Sequence, residues 1–328
     1  MNNALTNAVV TTRSEALGAD GSAATDPTDR LIYFKGAFVP ACEAKVSVLS
    51  PTSQFGLNVF EGIRGYWSAD ALQLLLFRLP EHIERLFQSC KILGLKCPLG
   101  AEELEEKICK TITLNRYQED VAIRATVFVD EEGSWSSSEP VQVFIAPMPR
   151  PRTNIAAIEG KSACISTWKR IDDRTLPPRV KCGANYINGR YAFLEAKRNG
   201  FEIPFLLDAS GKVSESPGAC IFLVRNGELV TPSISNSILE SITRDTILRL
   251  ALDLGIQVRE RDVDRSEFYI ADEAFVCGTA AEIGPITSVD RLPIGRGKVG
   301  PITTSLYEAY LNVVSNANAP YPEWRTPV

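Results

Sequence analysis

The sequence predicts an α+β protein of two domains, on three observations. Strand and helix patterns intermix without the regular alternation that builds a parallel sheet. Pro147, Pro149 and Pro151 fall close together near the middle of the chain and mark a linker. The length, 328 residues, suits two ordinary domains. The expected division is a disordered tail over 1–30, a smaller N-terminal domain over 31–146, a linker over 147–153 and a larger domain of mixed β structure over 154–328.

The tail is rich in Ala, Thr, Ser, Asn, Asp and Gly and lacks the apolar segment of a signal peptide. "LIYFKGAFVP" predicts a hairpin turning at Lys35-Gly36. Phe55 to Trp67 and "LQLLLFRL" read as strands. In "EHIERLFQSCKILGL", Ile83, Leu86, Phe87, Cys90 and Leu93 keep the helical period, and Gly94 follows. "AEELEEKICKTITLN" is a second helix, and "VAIRATVFVD" and "VQVFIAPM" are strands flanking a polar loop. Beyond the linker, Ile187, Tyr191 and Leu194 mark one face of a helix closed by Lys197, Arg198 and Gly200. "FEIPFLLDASGKVSES" is strand, turn, strand, and "CIFLVRNGELVTP" turns on Asn226-Gly227. "ESITRDTILRLALDLG" is a helix expected to bury Ile247, Leu248, Ala251 and Leu254; "EAFVCGTAAEI" is a strand running into a Gly-Thr-Ala turn.

Composition removes several function classes. The chain is 45% hydrophobic and 23% charged, with a net charge of −5, and it has no basic stripe to meet a nucleic acid. It has no run of apolar residues long enough for a membrane span. Eight cysteines without a C-x-x-C pair, in a chain without a secretory signal, are expected to be reduced thiols in the cytoplasm. A single histidine, His82, leaves no zinc-binding cluster, so no metal is expected. No G-x-S-x-G elbow accompanies it, and a lysine becomes the better candidate for a base or nucleophile. "GRGKVG", Gly295 to Gly300, matches G-x-G-x-x-G but precedes only the last helix, and it reads as a turn rather than a dinucleotide site.

Lys181 stands in "RVKCGANY", before small residues and a helix entrance, a setting that a solvated surface lysine does not need. An amine that attacks a carbonyl must be partly desolvated to shed its proton near neutral pH. Arg85, Tyr186, Glu215, Thr243 and Thr279 each have a bland reading alone, as surface, turn or helix-end residues. Together they supply the parts of a pyridoxal phosphate site: a lysine for the Schiff base, a carboxylate for the pyridine nitrogen, and an arginine, a helix N-terminus and hydroxyls for the phosphate.

The stretches "FGLNVFEGIRGY", "HIERLFQSCKI", "KCGANY", "GKVSESPGACIF", "SITRDTI" and "YIADEAFVCGTAAEI" resemble the fold-type IV pyridoxal-phosphate aminotransferases, nearest the branched-chain amino acid aminotransferases. The resemblance runs from about residue 31 to the C-terminal region. It implies that Lys181 is the Schiff-base residue and proton shuttle. It also implies that Arg85, Tyr186, Glu215, Ile242, Thr243 and Thr279 bind the cofactor, and that Phe55, Phe60, Arg64, Ala122, Arg124, Thr279 and Ala280 line the substrate pocket. A homodimer with loops from the partner over the site is implied as well. The expected reaction moves an amino group from a branched-chain L-amino acid to a 2-oxo acid such as 2-oxoglutarate.

Departures fall on the substrate side. Phe55 and Ala122 stand where the family usually carries tyrosines, Ala219-Cys220 replaces a Glu-Asn pair, and Ser241 replaces a glycine. Chemistry kept with an altered pocket leaves several alternatives within the fold. They are a transaminase for a bulky, aromatic or non-proteinogenic amino acid, an (R)-selective amine transaminase, a D-amino acid transaminase and an aminodeoxychorismate lyase. A cofactor-binding protein without turnover is the alternative from another class.

Overall fold

The computed structural model describes residues 30–154 and 159–328, so the predicted tail, except Arg30, lies outside the described residues. The first hairpin is β1 (Leu31–Phe34) and β2 (Ala37–Pro40), turning at Lys35-Gly36 as its pattern predicts. A short helix, α1 (Pro51–Phe55), follows, capped by Ser50 and ended by Gly56 at φ +68. Phe55, expected in a strand, therefore closes a helical turn: Pro51 presets its start and Gly56 adopts the left-handed conformation that ends it. Next come β3 (Asn58–Ser68), β4 (Gln73–Phe77), helices α2 (Leu79–Leu93) and α3 (Ala101–Asn115), β5 (Val121–Val129) and β6 (Val141–Pro149). The second half comprises β7 (Lys161–Lys169), α4 (Tyr186–Arg198), β8 (Ile203–Leu207), β9 (Cys220–Arg225), β10 (Glu228–Thr231), α5 (Ile242–Asp253), β11 (Val258–Glu260), β12 (Glu273–Gly278), β13 (Glu282–Val289), β14 (Leu292–Pro293), α6 (Pro301–Ser315) and β15 (Arg325–Pro327).

Two sheets result. The first is antiparallel, in the order β15-β4-β3-β5-β6-β1-β2, and buries Ile63, Leu76, Val121 and Ile123 against α2 and α3 through Ile83, Leu86, Leu104 and Ile108. The second, β11-β10-β9-β12-β13-β7-β8, is mixed, with β14 paired to β13. The chain leaves the first sheet where β6 ends at Pro149 and enters the second where β7 begins at Lys161, and β15 returns to the first sheet. This return escapes pattern reading, because β15 has only three residues and no alternation to detect.

On α4 a different face is buried than periodicity suggests, and on α5 one expected position is exposed. On α4, Ile187 and Tyr191 are exposed and the buried positions are Gly189, Ala192 and Ala196. On α5, Ile247 and Ala251 are buried as expected, Leu254 lies exposed at the C-terminal end, and Leu250 is buried.

Candidate active site

A cavity of about 570 Å³ opens between the two sheets. Lys181 lies on its wall, in the segment joining β7 to α4. Its backbone is held from the other sheet: the Phe60 N–H donates to the Lys181 carbonyl at 2.9 Å, and the Lys181 N–H donates to Ser89 Oγ on α2 at 3.2 Å. A Cβ at Gly183 would come within 2.9 Å of Asn58 Oδ1, so the glycine two residues after Lys181 permits the segment to press against β3. The Lys181 Nζ donates to Tyr186 Oη at 3.0 Å and lies over the rings of Phe60 and Tyr186.

Glu215 lines the same cavity and is 3% exposed. Burial pushes its carboxyl above the ordinary glutamate value, and the Arg170 guanidinium, 2.6 Å away, works against burial. Its other oxygen accepts from the Leu239 N–H at 3.3 Å.

A third wall suits a phosphate. Ser241 caps α5 by accepting from the Arg244 N–H, while among the described residues the Ile242 and Thr243 N–H groups donate to no acceptor. Unpaired N–H groups at a helix start attract an anion. Arg85 reaches this point: its Nη1 donates to the Glu240 carbonyl at 2.8 Å, and Nε and Nη2 grip Glu61 at 2.7 and 2.8 Å. Burial would raise the Glu61 carboxyl, but Arg85 and His82 outweigh it and hold the group well below the usual range. Burial keeps the His82 imidazole below its ordinary value despite the Glu61 contact of 2.7 Å.

The sheet face opposite carries the remaining predicted residues. Arg64, Ala122 and Met148 are cross-strand partners in one row; Gly62, Arg124 and Ala146 form the next. Directly opposed residues of antiparallel strands share a face. Arg124 stacks over Phe60 at 4.2 Å; burial lowers its pKa, and no carboxylate of the described residues pairs with it. Arg64 is 2% exposed and already engaged with Glu282 and the Arg150 carbonyl. Thr279 and Ala280 sit on the rim.

Ten of the predicted residues thus share the cavity wall: Phe60, Arg64, Arg85, Ala122, Arg124, Lys181, Tyr186, Glu215, Thr279 and Ala280. Ile242 and Thr243 lie just behind it, buried at the start of α5, and Phe55 stands away from this cavity, 47% exposed. Sequence reasoning missed Arg170, Glu61 and Arg150, and it read Ser241 as a substrate-side departure rather than as the cap of α5. Ser241 was legible as a serine before a helix, and His82 with Arg85 at an i, i+3 spacing on the apolar face of α2 was a sign of a buried polar partner. Arg170 and Arg150 lie at strand ends, where no periodic signal distinguishes them.

The donor set fits pyridoxal phosphate: an amine, a buried carboxylate, a tethered guanidinium and free helix N–H groups converge on one cavity. The family model described as Amino-transferase class IV matches residues 58–289. A probable branched-chain-amino-acid aminotransferase of Aquifex aeolicus is 36% identical over 302 residues, covering 90% of this chain and 96% of that protein. Among solved structures, the branched-chain amino acid aminotransferase of Thermobaculum terrenum in its PLP form superposes with a TM-score of 0.87 at 38% identity, over 92% of this chain and 99% of that one. The enzyme of Thermoproteus uzoniensis with norvaline gives 0.84 at 39%, over 90% and 98%. Full-length likeness at this identity, on a cavity with this chemistry, makes the chain a member of the class IV aminotransferases in the branched-chain aminotransferase family, a pyridoxal-phosphate-dependent enzyme.

Proposed function

We propose that this enzyme transfers the amino group of a branched-chain L-amino acid to 2-oxoglutarate, with Lys181 as its catalytic residue. The observation that carries the assignment is the Lys181 amine, 3.0 Å from the Tyr186 hydroxyl, on a cavity that also holds Glu215. When bound, pyridoxal phosphate supplies an aldehyde for the Lys181 amine and a ring that draws electrons from the amine-bearing carbon. Glu215 would hold the proton of the ring nitrogen, and Tyr186 the phenolic oxygen. Arg85, the N–H groups of Ile242 and Thr243, and Thr279 would hold the phosphate. With the cofactor bound, Lys181 Nζ would serve as the base for the proton of the substrate α-carbon and as the acid that gives it back. The N–H groups of Thr279 and Ala280 receive the donor carboxylate, and the unpaired Arg124 takes the second carboxylate of 2-oxoglutarate.

A second reading, a donor bulkier than leucine, is favoured by one feature. Ala122 lies between Arg64 and Met148 in the row facing the cavity, and so leaves apolar space there. The discriminating experiment mixes the cofactor-loaded enzyme with L-leucine, L-phenylalanine, D-amino acids and (R)-amines, and follows cofactor absorbance. Conversion with L-leucine alone supports the first reading, conversion favouring L-phenylalanine the second, and no conversion with any donor rejects both.

The expected homodimer is proposed on the exposed apolar residues Val48, Leu49, Phe55 and Trp135, all on loops or α1 of the first domain. Phe55, remote from its own cavity, would then wall the partner's. Sedimentation of the parent and of Trp135→Asp tests this: a parent that sediments as a monomer removes the proposal. The domain division over 31–146, 147–153 and 154–328 is proposed with β15 exchanged into the first domain. A cytoplasmic location is proposed on the eight free cysteines.

A further inference from the structure

The turn between β12 and β13 forms part of the cavity rim, and its Thr279 and Ala280 N–H groups donate to no acceptor among the described residues. The turn is held by Arg150, which lines the same cavity. The Ala280 carbonyl accepts from Arg150 Nη2 at 3.0 Å, across the cleft from the end of β6. The Arg150 backbone is fixed in turn, with its carbonyl accepting from Arg64 Nη2 at 2.9 Å and its N–H donating to the Asp120 carbonyl at 2.8 Å. Arg64 pairs with Glu282 at 3.4 Å, and Glu282 stands two residues after Ala280. The contacts therefore close a ring: Glu282, Arg64, Arg150, Ala280 and back along the chain.

Glu282 is fully buried and adopts φ +52, a left-handed conformation unfavourable to a side chain of this size. Its carboxylate accepts from the Tyr66 hydroxyl at 2.9 Å and the Thr153 N–H at 2.6 Å, so with Arg64 three residues hold it in place. A flip of the Ala280–Ala281 peptide would turn the Ala280 oxygen toward the cavity, where it would repel a carboxylate. The Arg150 contact opposes that flip.

We propose that Arg150 is a positioning residue for substrate: it fixes the Thr279–Ala280 turn with its N–H groups toward the cavity, and so sets affinity for the donor's carboxylate. This rests on the reading that the turn receives that carboxylate. Arg150 is exposed, so replacing it leaves the buried ring partners in place. The test compares the cofactor-loaded parent, Arg150→Ala and Arg150→Lys in calorimetric binding of isocaproate and of isocaproamide, which has the same shape without the charge. It adds KM and kcat for leucine. The expected result is isocaproate binding about tenfold weaker in Arg150→Ala, with isocaproamide unchanged, the leucine KM raised more than kcat is lowered, and part of the loss recovered by Arg150→Lys. Equal weakening of both ligands, or none, overturns the proposal. A parent that binds isocaproamide as tightly as isocaproate overturns the carboxylate reading itself, and this inference with it.

Discussion

Arg170 and Glu215 form an ion pair of 2.6 Å on the wall of the cavity, with Glu215 almost wholly buried. An isolated buried carboxylate would take up a proton and cease to serve as an anion. Arg170 works against that burial and favours the carboxylate form, the form that the role proposed for Glu215 requires.

Arg170→Met is therefore expected to raise the Glu215 pKa further, because the adjacent opposite charge is lost. Burial already raises it, so ionisation is lost as pH falls through a value above the ordinary glutamate range. The acid limb of kcat should move to higher pH in the variant. The sign for stability is opposite to that of a depressed carboxylate: Glu215 subtracts from stability at neutral pH and stops doing so as pH falls through its folded pKa. The melting-temperature deficit of Arg170→Met should accordingly shrink on acidification. An unmoved acid limb would detach Glu215 from the chemistry.

Glu61→Gln breaks a buried bidentate pair and leaves Arg85 without its counter-charge. Removing one partner of such a pair costs about 3–5 kcal/mol. Because the Glu61 pKa is depressed, its contribution is present above the unfolded value and is lost as pH falls through the folded one. Denaturant unfolding should thus show a large deficit at pH 7 that narrows at low pH, and cofactor retention on dialysis should fall as Arg85 loses its orientation. A variant as stable as the parent would show that the pair adds nothing.

Lys181→Ala should remove the absorbance of covalently held cofactor and lower kcat by at least about 10²–10⁴-fold, the usual contribution of a positioned general base. Phosphate contacts through Arg85 and the start of α5 should still retain the cofactor. Retained absorbance and rate would place the chemistry elsewhere.

Ala122→Tyr fills the space between Arg64 and Met148. Each methylene excluded from an apolar pocket changes affinity by roughly 1 kcal/mol, so the loss for phenylalanine should exceed that for leucine by several-fold or more in kcat/KM. Equal losses would mean that residue 122 does not shape the side-chain pocket. Phe55→Tyr should act only where two chains assemble, because Phe55 lies off its own cavity.

Local signals made much of this fold legible. Asn226 and Gly227 both take positive φ, as the hairpin between β9 and β10 requires, and the apolar period of α2 locates Ile83, Leu86 and Cys90 in the core. The meeting of Lys181 with Glu215 was readable through resemblance to a known family. What could not be read were partners joined across sheets. Nothing near Arg170 marks it as the partner of Glu215, and Arg150 acts through a carbonyl that lies 130 positions away. The outward face of α4 misleads for a related reason: Gly189 and Ala192 are buried because they are small enough for close packing, and hydrophobicity alone does not rank them above Tyr191.

The return of β15 to β4 sets an order of assembly. Residues 325–327 supply one edge of a sheet whose other six strands lie between residues 31 and 149, so that sheet gains its closing strand only after nearly all of the remaining chain has been synthesised. Until then β4 presents an unpaired row of N–H and C=O groups, the kind of edge that recruits foreign strands. During biosynthesis the first domain is thus the last to be sealed, and the nascent chain's exposure to aggregation is governed by how soon its C-terminal segment arrives.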